Sequence, residues 1–228
     1  MIKPLTYSNI SLIMEDQIIL IDKPANITSF GVVAKVRGKL KQEFGHKVKV
    51  GHTGTLDPFA TGLLILLSGK YTKKSSEFLK LDKTYEATIK LGCTSTTGDP
   101  EGEITEKSLK IPQLSEVKST LQSFTGEIKQ TPPRFSAIKI NGERAYKLAR
   151  KNQEFSLPSR KVTIYNIEIL DYNYPILKIK AHVSSGTYIR TLTEDIGEKL
   201  KTGAYCQGLR RTQIGSYNVK DATPLDKI

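Results

Sequence analysis

The sequence contains no tryptophan, two cysteines and three histidines in 228 residues. Cys93 and Cys206 lie far apart, and neither has a second Cys or His nearby at the spacing of a metal site. We therefore expect reduced thiols and no bound metal. No segment approaches the roughly 18 consecutive apolar residues that a membrane-spanning helix needs. These absences predict a soluble, cytoplasmic protein without membrane attachment.

Acidic residues are the scarcer charge, with 23 Asp and Glu against 35 Lys and Arg, which leaves a net charge of +12. An excess of this size favours a polyanionic partner, nucleic acid before membrane, although a basic protein that binds nothing specific stays open. Apolar residues make up 38% of the chain, enough for an ordinary core. Because no repeat or Gly/Ser linker divides the sequence, we expect a single domain over residues 1–228.

The stretch Gly51 to Gly69, GHTGTLDPFATGLLILLSG, places Asp57 between a glycine-threonine loop and an apolar run. The glycines permit tight turns, Pro58 restricts the backbone after the acid, and Leu63 to Leu67 is short enough to be a buried strand. A phosphate-cradling loop is excluded because no Gly-Lys-Ser/Thr follows the glycines. Two interpretations remain, a carboxylate positioned for chemistry or an Asp-Pro turn that binds nearby backbone N–H groups.

Hydrophobic spacing predicts a mixture of helices and strands. The predicted strands cover residues 17–22, 63–67, 83–91, 161–172, 176–183 and 207–219. The predicted helices begin at Thr28 or Ser29, cover residues 72–81 and 114–124, and begin at Gly186. In the strand 83–91 the alternation turns Tyr85 inward.

Arg190 lies in the first turn of the last predicted helix, together with Tyr188. A cation there opposes the helix dipole, so we expect a nearby carboxylate to compensate it. Glu194, one turn further on, would give a surface ion pair of little value. Asp57 is the partner of Arg190 that we expect if the ion pair has a role in function.

A basic segment over about residues 124–152 predicts an inserted lobe. It starts with the extended segment 130–134 and then alternates cations with aromatic residues: Lys139, Arg144, Lys147, Arg150 and Lys151 with Phe135 and Tyr146. Such a lobe suits a grip on an RNA backbone. A solvated surface hairpin and helix is the alternative.

Five segments together resemble the tRNA pseudouridine synthase B (TruB) family, which isomerises the T-loop uridine of tRNA, position 55, to pseudouridine. They occur in the family's order and cover nearly the whole chain: Asp22-Lys23-Pro24, residues 51–62 as GHTGTLDPFATG, Lys83-Thr84-Tyr85, Gly186-Thr187-Tyr188-Ile189-Arg190 and Leu209-Arg210-Arg211. The resemblance implies an α+β pseudouridine synthase fold. In that fold a bent, mixed and mainly antiparallel sheet carries flanking helices and a central active-site cleft.

The resemblance also implies roles for single residues. Asp57 matches the catalytic aspartate, and Arg190 matches the arginine that pairs with it. The other substrate-binding residues are Tyr85, which stacks on the target base, Tyr188 and Leu209, which line the uracil pocket, and His52, which enters the T-loop. Residues that contact RNA or support the site are Lys23, Arg134, Arg210 and Arg211.

Isomerisation breaks the N-glycosidic bond, turns the base and rejoins it through C5 after the nucleotide is flipped out. It involves no net redox change, so the resemblance implies no cofactor. The implied partner is the T-arm of tRNA, bound by a monomer without a protein partner.

Two features depart from the family pattern. The chain ends at Ile228, where many bacterial members continue into a small C-terminal RNA-binding domain, so we expect that domain to be missing. Ser184-Ser185 stands before the Gly186 segment, where other members often place a lysine.

Three other functions stay open beside the tRNA-modifying enzyme. Guide-RNA-dependent relatives share the aspartate loop but generally lack the basic lobe. Synthases that act on ribosomal RNA have Arg-Leu-Asp, whereas Thr55 precedes Leu-Asp here. A tRNA-folding chaperone would bind the same RNA with catalysis secondary.

Overall fold

The computed structural model describes residues 14–140 and 142–228. In chain order its strands are β1 (Ile18–Lys23), β2 (Val50–His52), β3 (Thr61–Ser68), β4 (Lys83–Leu91), β5 (Cys93–Ser95), β6 (Ile104–Glu106), β7 (Gly126–Gln130), β8 (Lys139–Ile140), β9 (Glu143–Arg144), β10 (Arg160–Asn173), β11 (Ile176–Val183), β12 (Ala204–Ile214), β13 (Tyr217–Asn218) and β14 (Thr223–Pro224). Its α-helices are α1 (Ser29–Phe44), α2 (Ser75–Leu79), α3 (Leu114–Gln122), α4 (Ala145–Arg150) and α5 (Ile189–Leu200).

The chain folds into two compact units. Unit 1 contains the chain up to Tyr85 together with Arg210–Ile228, and unit 2 is Glu86–Leu209. The chain leaves unit 1 within β4 and returns to it within β12. The expected single domain over residues 1–228 stays a prediction.

Unit 1 is built around β3, which is buried on both faces. β3 pairs antiparallel with β1 and β2 and parallel with β12, and β14 lies parallel beside β1. One face of the sheet packs against the apolar side of α1, and the other packs against Phe78 and Ile214. Because both faces are covered, Leu63–Leu67 is continuously apolar instead of alternating.

α1 follows the local signals that predicted it. Thr28 is its N-cap, and the Thr28 side chain accepts a hydrogen bond from the backbone N–H of Gly31 at 2.9 Å. Gly45, with φ of 74°, ends the helix in the left-handed conformation. The predicted apolar side, which includes Val36 and Leu40, is buried.

Unit 2 contains the hairpin of β10 and β11, with β7 paired antiparallel to β10. Along β11 buried residues such as Ile179 alternate with exposed lysines, as the sequence predicts. α5 buries a stripe that includes Leu192 and Ile196. The segment between β7 and β10 holds the short hairpin β8–β9 and α4, within the range of about residues 124–152 over which the lobe is predicted.

The α+β class and the mixed, mainly antiparallel pairing are confirmed. Several predicted boundaries are wrong. The helix predicted over 72–81 is a 3₁₀ segment, Gly69–Lys74, followed by the short α2. The strand predicted over 207–219 ends at Ile214, because Gly215, with φ of 54°, turns the chain into β13. β7 was not predicted, because Ile128 is the only apolar side chain among its five residues.

Among the described residues, no helix is long and apolar enough to cross a membrane. The predicted absence of a membrane-spanning segment also covers residues 1–13, which lie outside the described residues. Cys206 is buried and Cys93 is half-buried.

Candidate active site

Asp57 lies half-buried in the loop between β2 and β3. The loop is tied to β3 at its start, because the backbone N–H and the hydroxyl of Thr53 both donate to the carbonyl oxygen of Ile65, at 3.0 and 3.3 Å. A turn closes it at the other end, where the N–H of Ala60 donates to the carbonyl of Asp57 at 3.1 Å. The carboxylate therefore sits on an anchored loop and is reachable from solvent.

Arg211 holds the part of this loop that precedes the acid. Its side chain is 1% exposed, and its guanidinium donates to the carbonyls of Leu63 at 2.8 Å, Gly54 at 3.1 Å and Thr55 at 3.5 Å. A buried guanidinium needs such acceptors, since an unpaired buried charge is very costly. The contacts of Arg211 suit support of the loop and leave it little surface for RNA.

Lys23 holds the part that follows the acid. It is 0% exposed, and its ammonium donates to the carbonyls of Pro58 at 3.1 Å, Ile27 at 2.8 Å and Pro24 at 2.9 Å. Backbone carbonyls on both sides of Asp57 are thus bound by buried cations. The loop cannot shift without breaking charge-assisted hydrogen bonds.

Gly62, which ends the motif, is explained by the close approach of β12. Its φ is +102°, and a Cβ atom there would lie 2.3 Å from the carbonyl oxygen of Arg211. Gly62 and Arg211 are partners in the parallel pairing of β3 with β12. Only glycine allows this contact, so the motif's last residue sets where Arg211 meets the loop.

His52 and Arg210 lie at the edge of this arrangement. His52 is half-buried at the end of β2, and its Nδ1 accepts a hydrogen bond from the N–H of Gly54 at 3.4 Å. Arg210 forms a two-pronged pair with the carboxylate of Asp22 at 2.7 and 3.1 Å. Three of the five motif segments, residues 22–24, 51–62 and 209–211, are therefore joined by direct contacts in unit 1.

Tyr85 is buried in β4, two residues after Lys83 and on the same face. The ammonium of Lys83 donates to the carbonyls of Leu79 and Leu81. Burial first, and then the charge of Arg211, lower the pKa of Lys83 to about 8. The segment Lys83-Thr84-Tyr85 thus starts with a lysine that loses its proton more readily than an ordinary lysine does.

In unit 2, Arg190 is buried and bound to Asp99. One guanidinium nitrogen, Nη1, lies 3.0 Å from Oδ2 of Asp99 and 2.8 Å from the carbonyl of Thr97, and Nη2 donates to the carbonyl of Phe135 at 2.7 Å. Asp99 also accepts hydrogen bonds from the hydroxyl of Thr97 at 2.6 Å and the N–H of Glu101 at 3.0 Å. Arg190 is therefore held in one orientation.

Asp99 was not predicted as a site residue, because residues 92–102 have the composition of a turn. The available signal was Asp-Pro, which occurs here as at Asp57. Burial raises the pKa of Glu194, and the charge of Arg190 opposes that rise, so Glu194 lies in the field of the arginine. The pairing of Arg190 with Asp57 stays a prediction.

Tyr188 is the N-cap of α5 and is half-buried, whereas Leu209 is buried in β12. Tyr188 was predicted inside the first helical turn, and it stands one residue before it. Arg134 is exposed at the start of the lobe, where it donates to the carbonyl of Gln153 at 2.9 Å and lies 5.2 Å from the ring centre of Phe155. Arg134 thus ties the two ends of the lobe together.

The basic side chains of the lobe point outward. Those predicted to grip RNA are all exposed: Lys139, Arg144, Lys147, Arg150 and Lys151. Arg150 lies 5.7 Å from the ring centre of Tyr146. Both the RNA-gripping and the solvated-surface interpretation fit this hairpin and helix. The described part of the chain contains no cluster of three or more His, Cys, Asp or Glu that could hold a metal ion.

A family model described as TruB family pseudouridylate synthase (N terminal domain) matches residues 39–189, and one described as tRNA pseudouridylate synthase B C-terminal domain matches residues 190–228. A protein named tRNA pseudouridine synthase B from Endomicrobium trichonymphae is 44% identical, over 95% of this chain and 90% of its own length. Its namesake from Aquifex aeolicus (strain VF5) is 45% identical, over 93% and 73%.

Among solved structures, a chain from a Cbf5-Nop10-Gar1 complex matches with a TM-score of 0.70 and 28% identity. The match covers 93% of this chain and 53% of the solved one, so this chain spans about half the length of that protein.

Proposed function

The chain belongs to the TruB family of pseudouridylate synthases, and we propose that it isomerises the T-loop uridine of tRNA, position 55, to pseudouridine. Membership of the family predicted from the five segments is confirmed, and with it the class of enzyme. The observation that carries the proposal is Asp57, half-buried on a loop that Arg211 and Lys23 hold from both sides. A catalytic carboxylate needs such fixed geometry.

In the proposed reaction the N1–C1′ bond of the target uridine breaks and a C5–C1′ bond forms. The proton on C5 is lost and N1 gains one, so the product is an isomer of the substrate. Asp57 is the group we assign to the reacting atoms, and Tyr85 would stack on the flipped base. Arg190 would pair with Asp57, and Tyr188 and Leu209 would line the uracil pocket.

We propose that the exposed cations of the lobe bind the T-arm through its phosphates, with His52 entering the T-loop. RNA loops are recognised by shape, stacking and phosphate contacts, which suits lysines and arginines interleaved with aromatic residues. The 44–45% identity to enzymes named tRNA pseudouridine synthase B, against 28% to the Cbf5 complex, supports a stand-alone enzyme over a guide-RNA-dependent one. A tRNA substrate would place the activity in the cytoplasm. The monomeric state stays a prediction.

The test uses the purified chain and an unmodified tRNA transcript or isolated T-arm, without added cofactor, followed by pseudouridine mapping. We expect modification at the T-loop uridine alone. Asp57→Asn should abolish turnover and leave the dissociation constant of the RNA within about threefold, since an isosteric change removes the carboxylate and little else. Asp226→Asn, at an exposed position in the same unit, is the matched control and should be fully active. Tight binding without any modified uridine would contradict the proposal and favour a tRNA-folding chaperone.

A further inference from the structure

One side chain binds both backbone polar groups of Tyr188. Gln130 is 1% exposed, its Oε1 accepts a hydrogen bond from the N–H of Tyr188 at 2.8 Å, and its Nε2 donates to the carbonyl of Tyr188 at 3.0 Å. A primary amide offers one acceptor and one donor side by side, as a peptide group does. Gln130 therefore pairs with Tyr188 as a residue of a neighbouring strand would, and it fixes the backbone just before α5.

A second side chain contacts the ring of Tyr188. The guanidinium carbon of Arg160 lies 4.9 Å from the ring centre, within the range of a cation–π interaction. The same guanidinium donates to the carbonyl of Gly186. Gly186 has φ of +84°, and a Cβ atom there would lie only 3.3 Å from Cζ of Arg160. Gly186, the first residue of the segment 186–190, thus leaves room for Arg160.

Gln130 and Arg160 face each other across one pair of strands. They are direct partners in the antiparallel register of β7 with β10, so their side chains lie on the same face. The chain between them, residues 131–159, contains the hairpin β8–β9 and α4 of the lobe. Its first residue is also bound to α5, because the hydroxyl of Thr191 donates to the carbonyl of Thr131 at 3.3 Å. The base of the lobe therefore holds the start of α5.

We propose that Gln130 and Arg160 are positioning residues that fix Tyr188 for the target base, which makes the base of the lobe part of the uracil pocket's geometry. This inference rests on the proposed function. Gln130 acts on the backbone of Tyr188 and Arg160 on its ring, so both act through the tyrosine. A pocket wall that is free to rotate would orient the base poorly, and the rate of the chemical step would fall more than the affinity for RNA.

A double-mutant cycle tests the role of Arg160. Arg160→Gln is made in the wild type, in Tyr188→Phe and in Tyr188→Leu, and single-turnover rates are measured at saturating T-arm RNA. We expect about a tenfold loss where an aromatic ring remains and no further loss in Tyr188→Leu, because one such contact is worth about that factor. Arg160→Lys should keep RNA affinity but recover only part of the rate, since an ammonium lacks the planar stack.

Lys161→Gln is the matched control for the cycle. Lys161 is the next residue on β10, is exposed, and pairs with Glu127 at 2.7 Å. Its replacement should leave the single-turnover rate unchanged. An equal loss from Arg160→Gln in the Tyr188→Leu background would overturn the proposal. So would a loss of RNA affinity large enough to account for the whole effect, because Arg160 would then act on the RNA or the fold directly.

Hydrogen exchange tests the role of Gln130 without any turnover. In Gln130→Leu the N–H of Tyr188 loses its acceptor and should exchange at least about tenfold faster, whereas Gln130→Glu keeps an acceptor and should stay close to the wild type. Unchanged exchange in Gln130→Leu would overturn the proposal. If the wild-type chain leaves every uridine unmodified, the proposed function fails, and the exchange rates still decide whether Gln130 holds Tyr188.

Discussion

Replacing Arg211 with methionine would remove the buried guanidinium that holds the loop before Asp57. Two of its hydrogen bonds are well formed, to the carbonyls of Leu63 at 2.8 Å and Gly54 at 3.1 Å. The third, to Thr55 at 3.5 Å, is at the limit of a hydrogen bond and contributes little. Methionine fills much of the space of the arginine stem, so the change tests the hydrogen bonds more than the packing.

The magnitude follows from these two bonds. Hydrogen bonds from a charged donor contribute about 1.5–3 kcal/mol each, which gives about 3–6 kcal/mol. Removing a buried charge also relieves its desolvation, which offsets part of this loss. We expect Arg211→Met to lower the free energy of unfolding by about 2–4 kcal/mol, a large fraction of the usual 5–15 kcal/mol. With Asp57 as the proposed catalytic group, a shift of about 1 Å in its position would lower turnover by about a hundredfold.

The assay is urea unfolding, together with single-turnover pseudouridine formation at a temperature where the variant is folded. Arg210→Met is the matched control, because it makes the same replacement at the adjacent residue. The side chain of Arg210 is 39% exposed, and its pair with Asp22 is partly solvated, so its loss should cost at most about 1 kcal/mol. If Arg211→Met were as stable as Arg210→Met, or if it turned over at the wild-type rate, the supporting role of Arg211 would be refuted.

Two further predictions concern buried charges. The lowered pKa of Lys83, about 8 against 10.5 for an ordinary lysine, means that the unfolded chain binds more protons between these values. In urea titrations wild-type stability should therefore rise relative to Lys83→Met from pH 8 to 10.5 and show no such gain below pH 7; a flat difference would contradict the sign. Asp99→Ala should lower the free energy of unfolding by about 3 kcal/mol, since it leaves the buried Arg190 without this carboxylate, and Asp99→Asn should cost less. Equal stability of Asp99→Ala and wild type in urea would show that the pair is not stabilising.

The spacing of apolar residues predicted the strands and helices that bury one face. The strand over 176–183 was predicted to the residue, because strict alternation leaves only one register with a buried face. The buried side of α1 followed from its helical spacing. The place of Asp57 in a loop before a buried strand also followed from local residues, whereas the cations that anchor this loop, Lys23 and Arg211, are distant in sequence.

Contacts between polar residues far apart in sequence could not be predicted in this way. Gln130 binds Tyr188 across 58 residues, and Asp99 binds Arg190 across 91. Each of these polar residues has the local pattern of a surface position, because burial of a polar group depends on a partner that the local sequence does not contain. The same holds for the burial of Arg211, which did not follow from its strand pattern, although the family resemblance implied that this arginine contacts RNA or supports the site.

The contacts in the two units fix the site residues by different means. In unit 1 the Asp57 loop is held by two buried cations, Arg211 and Lys23, that bind its own backbone carbonyls. In unit 2 the start of α5 is bound by the segments at the base of the lobe, through Gln130 and Phe135. A change at the base of the lobe should therefore alter the positions of Tyr188 and Arg190 directly, because the backbone of Tyr188 and the guanidinium of Arg190 are both bound there.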